Sequence, residues 1–134
     1  MKKVYILIIA ATVFYGCASS RQLPEKQIIP LKNTRWEIFS INKNIIDSSS
    51  IYIILKENGK LIGNAGCNSM GGLYIEEGTS IIFSQIISTK MYCSKIEQEN
   101  LFLKALPLVD TYFIKNNELI FFSRGKEILK FMMH

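Results

Sequence analysis

The chain has 134 residues, 49% of them hydrophobic and 20% charged, a length and mixture that give one modest folded domain and exclude both a second domain and a disordered polymer. Its formal charge of +5 includes Lys2 and Lys3; setting those two aside leaves 14 basic against 11 acidic residues, or +3. The remaining lysines, among them Lys32, Lys56, Lys60, Lys90, Lys104, Lys115 and Lys130, are scattered singly, which argues against a nucleic-acid partner and assigns them to solvated surface with weak attraction to anionic lipid headgroups.

Met1-Lys2-Lys3 is a positive start, Val4 to Phe14 an almost unbroken apolar run, and Gly16 a small residue before Cys17. This is the layout of a secretory signal, and the run is shorter than the roughly 20 residues of a spanning helix. Val13-Phe14-Tyr15-Gly16-Cys17 resembles a lipobox, with Phe14 and Tyr15 bulkier than the usual residues at those places. The resemblance implies cleavage after residue 16, lipidation of Cys17 and anchoring to a membrane. Residues 17–30, small and polar at first and containing Pro24, read as a lipidated tether, and residues 31–134 as the domain. No Asp follows Cys17, which by resemblance to the enterobacterial sorting rule favours the outer membrane, facing the periplasm.

Arg35 to Ile41 alternates as a strand should, with Trp36, Ile38 and Ser40 on one face, and Asn42 to Ser49 is turn-like. Ile51 to Lys56 is rich in β-branched residues. Asn58-Gly59 after it predicts a type I′ hairpin that returns Leu61 to Ala65 antiparallel onto Ile51 to Leu55. Gly66 to Gly72 is glycine-rich and reads as a loop, a tight bend that positions Cys67. No Gly-Lys-Ser/Thr follows it, so a phosphate cradle is not indicated. Gly72 to Glu76 and Ser80 to Ser84 form a further hairpin. Ser94 and Glu97 stand at capping-box spacing and predict the start of a helix that buries Phe102, Ala105, Leu106 and Val109 and is ended or kinked by Pro107. Thr111 to Lys115, Glu118 to Ser123 and Glu127 to Met132 are three more closely spaced strands. The fold class is therefore α+β: an antiparallel, twisted, partly closed sheet with one main helix packed on it.

Three cysteines are awkward in an exported protein, but a lipidated Cys17 leaves Cys67 and Cys93 as an even pair. A disulfide is favoured over a buried free pair or a reactive thiol. The single histidine, His134, is the last residue, which leaves a thiol nucleophile without an evident base and a zinc site without enough ligands.

Thr34-Arg35-Trp36, Gly66-Cys67-Asn68 with Gly72 and Tyr74, Thr89-Lys90-Met91 with Cys93, and a helix carrying Glu99, Leu103 and Leu106 together resemble the META family, which includes a bacterial heat-shock lipoprotein. The resemblance covers about residues 30 to 133 and implies the same fold and the same pairing of Cys67 with Cys93. It also implies a link to envelope stress and outer-membrane integrity, with no agreed ligand or reaction. Gly66, Asn68, Gly72, Tyr74, Thr89 and Met91 are read first as scaffold, with Thr89 and Met91 supplying local bonding and core filling.

The function expected is that of a non-enzymatic envelope lipoprotein supporting outer-membrane integrity or stress tolerance, with a membrane and an envelope protein as partners and neither cofactor nor metal. The alternative is a small-ligand or peptide-binding module whose rim is the loops Gly66 to Gly72 and Lys90 to Ser94. A thiol enzyme using Cys67 or Cys93 stands last, since no activating neighbour is evident in sequence. The oligomeric state is left open.

Overall fold

The computed structural model describes residues 28–47 and 50–134. The expected signal segment, Cys17 and most of the expected tether lie outside the described residues. Among the described residues nine strands form one sheet: β1 (Arg35–Ile41), β2 (Asn44–Ile45), β3 (Ile51–Leu55), β4 (Lys60–Ala65), β5 (Ser69–Glu77), β6 (Ser80–Ser88), β7 (Thr111–Lys115), β8 (Glu118–Ser123) and β9 (Lys126–Met132). From β3 to β9 each strand pairs antiparallel with the next, and β9 returns to β1, with Ile38 opposite Phe131 and Ile41 opposite Leu129. The sheet is therefore a ring, to which β2 adds a short tab on β1. The class is α+β, with the helix α1 (Ile96–Ala105) packed on the sheet and continued by a 3₁₀ turn at Leu106–Leu108.

Alternation along the strands decides what is inside. Trp36, Ile38 and Ser40 are buried on one face of β1, as the sequence requires; Ile53, Leu55, Leu61, Ile81, Leu119, Phe121, Leu129 and Phe131 join them. The helix contributes Phe102 and Ala105, followed by Leu106 and Val109. Aromatic rings run edge to face through this core, Phe83 to Phe121 at 5.4 Å, Phe121 to Phe131 at 5.5 Å and Phe131 to Phe102 at 6.2 Å, the tilted geometry that ring quadrupoles favour. Ile29 is already in the core and the Trp36 indole donates to the Leu31 carbonyl at 3.0 Å, so the packed domain begins before residue 31.

Three local expectations are corrected. At Asn58-Gly59 only Gly59 has positive φ (+77°); Gly59 N–H donates to Lys56 O and Lys56 N–H to Lys60 O, which makes a longer loop than a two-residue type I′ turn. The type I′ signature, positive φ at both central residues, falls instead at Asn42-Lys43 between β1 and β2. The predicted loop Gly66 to Gly72 shrinks to Gly66–Asn68, because Gly71 and Gly72 pair with Ile62 and Leu61 inside β5 and absorb a bulge before Leu73. Ser94 does not cap the helix: α1 starts at Ile96, and the amides of Ile96 and Gln98 donate to the carbonyls of Cys93 and Lys95.

The ring has one thin seam. β6 and β7 pair only at Ser80 opposite Thr111, with Ile81 N–H donating to Asp110 O and Tyr112 N–H to Thr79 O, whereas β7 pairs with β8 over its whole length.

Candidate functional site

The residues singled out in the sequence converge at one end of the ring around a buried carboxylate. Gly66, at φ +136°, turns the chain out of β4 in a conformation that L side chains rarely adopt, and its N–H donates to Asn64 Oδ1 at 2.8 Å. The turn aims the next two amides inward. Cys67 N–H and Asn68 N–H both donate to Glu99 Oε2 at 2.9 Å, and Asn68 Nδ2 donates to Glu99 Oε1 at 2.6 Å. Glu99 stands in the first turn of α1, where the helix dipole favours a negative charge.

Asn68 carries the network on to the β6–α1 connection. Its Oδ1 accepts from Thr89 Oγ1 at 2.8 Å and from Met91 N–H at 2.6 Å, and its Nδ2 also donates to Met91 O at 3.1 Å. The amide thereby uses both donors and both acceptor positions. With Asn68 and Glu99 almost fully buried, this is a satisfied polar network that fixes the β4–β5 loop, the β6–α1 connection and the helix to one another. Asn68, Thr89, Met91 and Glu99 also line a hollow of about 400 Å³, together with Lys90 and Tyr92.

Cys67 and Cys93, the pair expected to form a disulfide, are also here, as free thiols. They are neighbours: the hydrogen bond to Cys93, followed by burial, raises the Cys67 pKa to about 11, and Cys67 Sγ also lies 3.8 Å from Met91 O as a donor. An unactivated thiol is the result, because the thiolate is the nucleophilic form.

Of the expected motif residues, Gly66, Asn68, Thr89 and Met91 meet at this end, while Gly72 and Tyr74 do not. Gly72 lies within β5, close under Ser84 O and Ile86. Tyr74 packs on Phe83 and donates its hydroxyl to Lys56 O at 2.6 Å, far from any rim at Gly66. Met91 takes part through its backbone; its side chain is 59% exposed and fills no core. The role of Glu99 escaped the sequence reading, although Glu99, Phe102 and Leu106 follow at i, i+3 and i+7, and that spacing puts the carboxylate on the buried face.

A second polar cluster occupies the opposite end. Lys32 Nζ is 2.7 Å from Glu76 Oε2, and the Tyr112 hydroxyl donates to Glu76 Oε1 at 2.6 Å. The bonds from Lys32 and Tyr112 hold the Glu76 carboxyl below its ordinary pKa. Burial, then the bond to Glu76, pushes the Tyr112 phenol up to about 12. This cluster borders a groove of about 940 Å³ with Ile28 to Lys32 along one wall and Tyr112 to Asn116 along the other. Among the described residues no three His, Cys, Asp or Glu side chains converge as metal ligands would, and no helix is long and apolar enough to cross a membrane.

Solved structures share this arrangement of strands. A DUF4847 family protein from Bacteroides vulgatus aligns over 78% of this chain and 94% of its own at 16% identity, with a TM-score of 0.57. A protein from Burkholderia xenovorans, solved by NMR, aligns over 84% of this chain and 97% of its own at 18% identity, with a TM-score of 0.62. At such identities the likeness is one of fold. No curated protein matches the sequence. The META domain model matches residues 29–134, all of the packed region, and the chain belongs to the META domain family.

Proposed function

We propose that the protein is a non-enzymatic envelope lipoprotein, anchored through Cys17, which supports outer-membrane integrity or stress tolerance through contact with another envelope component. The observation that carries this reading is the use made of the motif. Asn68, Glu99 and Thr89 bond to one another and to the chain's own amides, so the residues that mark the family serve the scaffold. The sequence order of Lys2-Lys3, apolar run, Gly16 and Cys17 supplies the address. In an oxidising compartment the neighbouring thiols Cys67 and Cys93 exchange with an oxidised dithiol to form a disulfide, closing a loop of about 25 residues worth roughly 3 kcal/mol.

Deleting the gene and challenging cells with detergent or a hydrophobic antibiotic tests the reading. Heightened sensitivity, restored by the native chain and not by Cys17→Ala, is the expected result; unchanged sensitivity overturns it. Intact mass of membrane-derived protein reads the acyl group on Cys17. The alternative, a ligand site at Gly66 and Lys90 to Ser94, would use the hollow that Asn68, Glu99 and Lys90 line, but the polar groups of Asn68 and Glu99 are already bonded within the chain.

A further inference from the structure

We propose that the groove at the β6–β7 seam is a docking site for an extended segment of a membrane-proximal envelope protein, which adds as a strand to the open edge of β7. The proposal deepens the reading above, because it gives that contact a place and a chemistry.

The backbone supplies the first argument. Tyr112 N–H donates across the seam to Thr79 O, and in an antiparallel strand the main-chain groups of alternate residues face the same side. The N–H and C=O of Ile114 therefore face away from β8 and toward the seam. β6 begins only at Ser80, opposite Thr111, and the chain before it turns back into β5. Phe113 to Lys115 thus run on past the end of their neighbour, and no backbone pairing occupies that side of Ile114 among the described residues. An edge of alternating donors and acceptors is matched by another extended backbone, the basis of recognition by strand addition.

The walls supply the second. The groove bordering this edge has the size of a ligand site, and Ile28, Ile29 and Leu31 make its far wall apolar. Charge is distributed unequally across it. Lys32 and Glu76 neutralise each other, which leaves Lys115 on the β7 wall and Glu57, held by Asn33 Nδ2, opposite it; neither is in a salt bridge among the described residues. A strand carrying an acidic residue for Lys115 and a basic residue for Glu57 complements the groove.

The chain's own path supplies the third. The described chain enters at Ile28, on the groove wall, and only the residues from Cys17 to Gln27 separate it from the expected lipid. Fully extended, that length reaches at most about 40 Å, so the groove stays close to the anchoring membrane and to proteins seated there.

The test uses the full chain in lipid nanodiscs and the probe acetyl-Lys-Thr-Val-Thr-Val-Thr-Glu-amide, with hydrogen exchange read by mass spectrometry. The probe is expected to slow exchange in residues 111–117 while leaving the Gly66–Asn68 loop unchanged. N-methylation of alternate amides, tried in both phases, is expected to weaken binding about tenfold in one phase, the loss of one or two main-chain bonds. Lys115→Glu, an exposed change, is expected to weaken the probe about two- to fivefold, with recovery when the terminal charges of the probe are exchanged. Absence of protection at 111–117, protection centred elsewhere, equal binding of both N-methylated probes, or self-association through β7 in place of peptide binding each overturns the proposal. A deletion phenotype without protection removes the groove and leaves the proposed function standing; protection without a phenotype does the reverse.

Discussion

At one end of the ring the Asn68 amide and the Glu99 carboxylate are bonded within the chain itself; at the other, β7 extends past its neighbour and leaves main-chain groups facing a groove. Both ends contain a carboxylate held by donors, Glu99 in the first and Glu76 in the second, and burial separates their roles. Glu99 is 3% exposed and bonded to loop amides, so its removal orphans donors that water cannot reach. Glu76 lies partly in solvent with a lysine and a phenol that water can serve in its place. A motif at a closed end is therefore a statement about stability, and the unmarked open end is where the proposal above puts the contact.

The sharpest way to break this contrast is Glu99→Ala, which leaves the amides of Cys67 and Asn68 and one Asn68 side-chain donor without an acceptor. Urea unfolding should show a loss of about 3–5 kcal/mol. Asn68→Asp sets a second carboxylate against Glu99, where like charge raises the pKa of the pair; this variant should be destabilised at neutral pH and recover part of the loss as pH falls. At the open end Tyr112→Phe removes one phenol donor and should cost about 1 kcal/mol. The sign of its pH dependence is fixed by direction. The folded pKa of Tyr112 lies above the ordinary 10.0, so its contribution is fully present below pH 10 and is lost as pH rises toward about 12, a loss the Phe variant lacks. Glu76 acts oppositely, its contribution being lost as pH falls through its lowered pKa, and Glu76→Gln should flatten the acid limb of the unfolding curve. The smallest effect is chemical: in the reduced protein, Cys67 should alkylate slowly at pH 8 and speed up only as pH approaches about 11.

Much of the ring was legible because strand alternation is local. Trp36 and Ile38, Ile51 to Leu55, Phe121 and Phe131 announce their faces through a period of two. The capping box at Ser94 failed because spacing alone does not tell whether carbonyls such as Cys93 O and Lys95 O will satisfy the first amides instead. The loop at Gly66 was over-extended because glycine signals both a turn and a bulged strand, and only pairing with β4 separates the two. Glu99 was hidden for a related reason: a carboxylate reads as solvated until the amides that will surround it, from residues more than thirty positions away, are placed. The groove left no mark at all in the sequence, since it arises from where β6 begins relative to β7, a matter of register and not of residue type.

The closure of β9 onto β1 has a consequence for how the chain reaches its shape. β3 to β6 and β7 to β9 zip as successive hairpins that join near neighbours, and the β6–β7 seam closes across the helix, but Ile38 must wait for Phe131 and Ile41 for Leu129. That contact spans most of the domain and carries the largest loop-closure entropy, so it sets the slow step of assembly. A chain delivered amino terminus first holds one edge of β1 unpaired until its final residues arrive. Residues 126–132 thus act as the latch, and a chain truncated before them should accumulate as an aggregation-prone intermediate with its early hairpins formed.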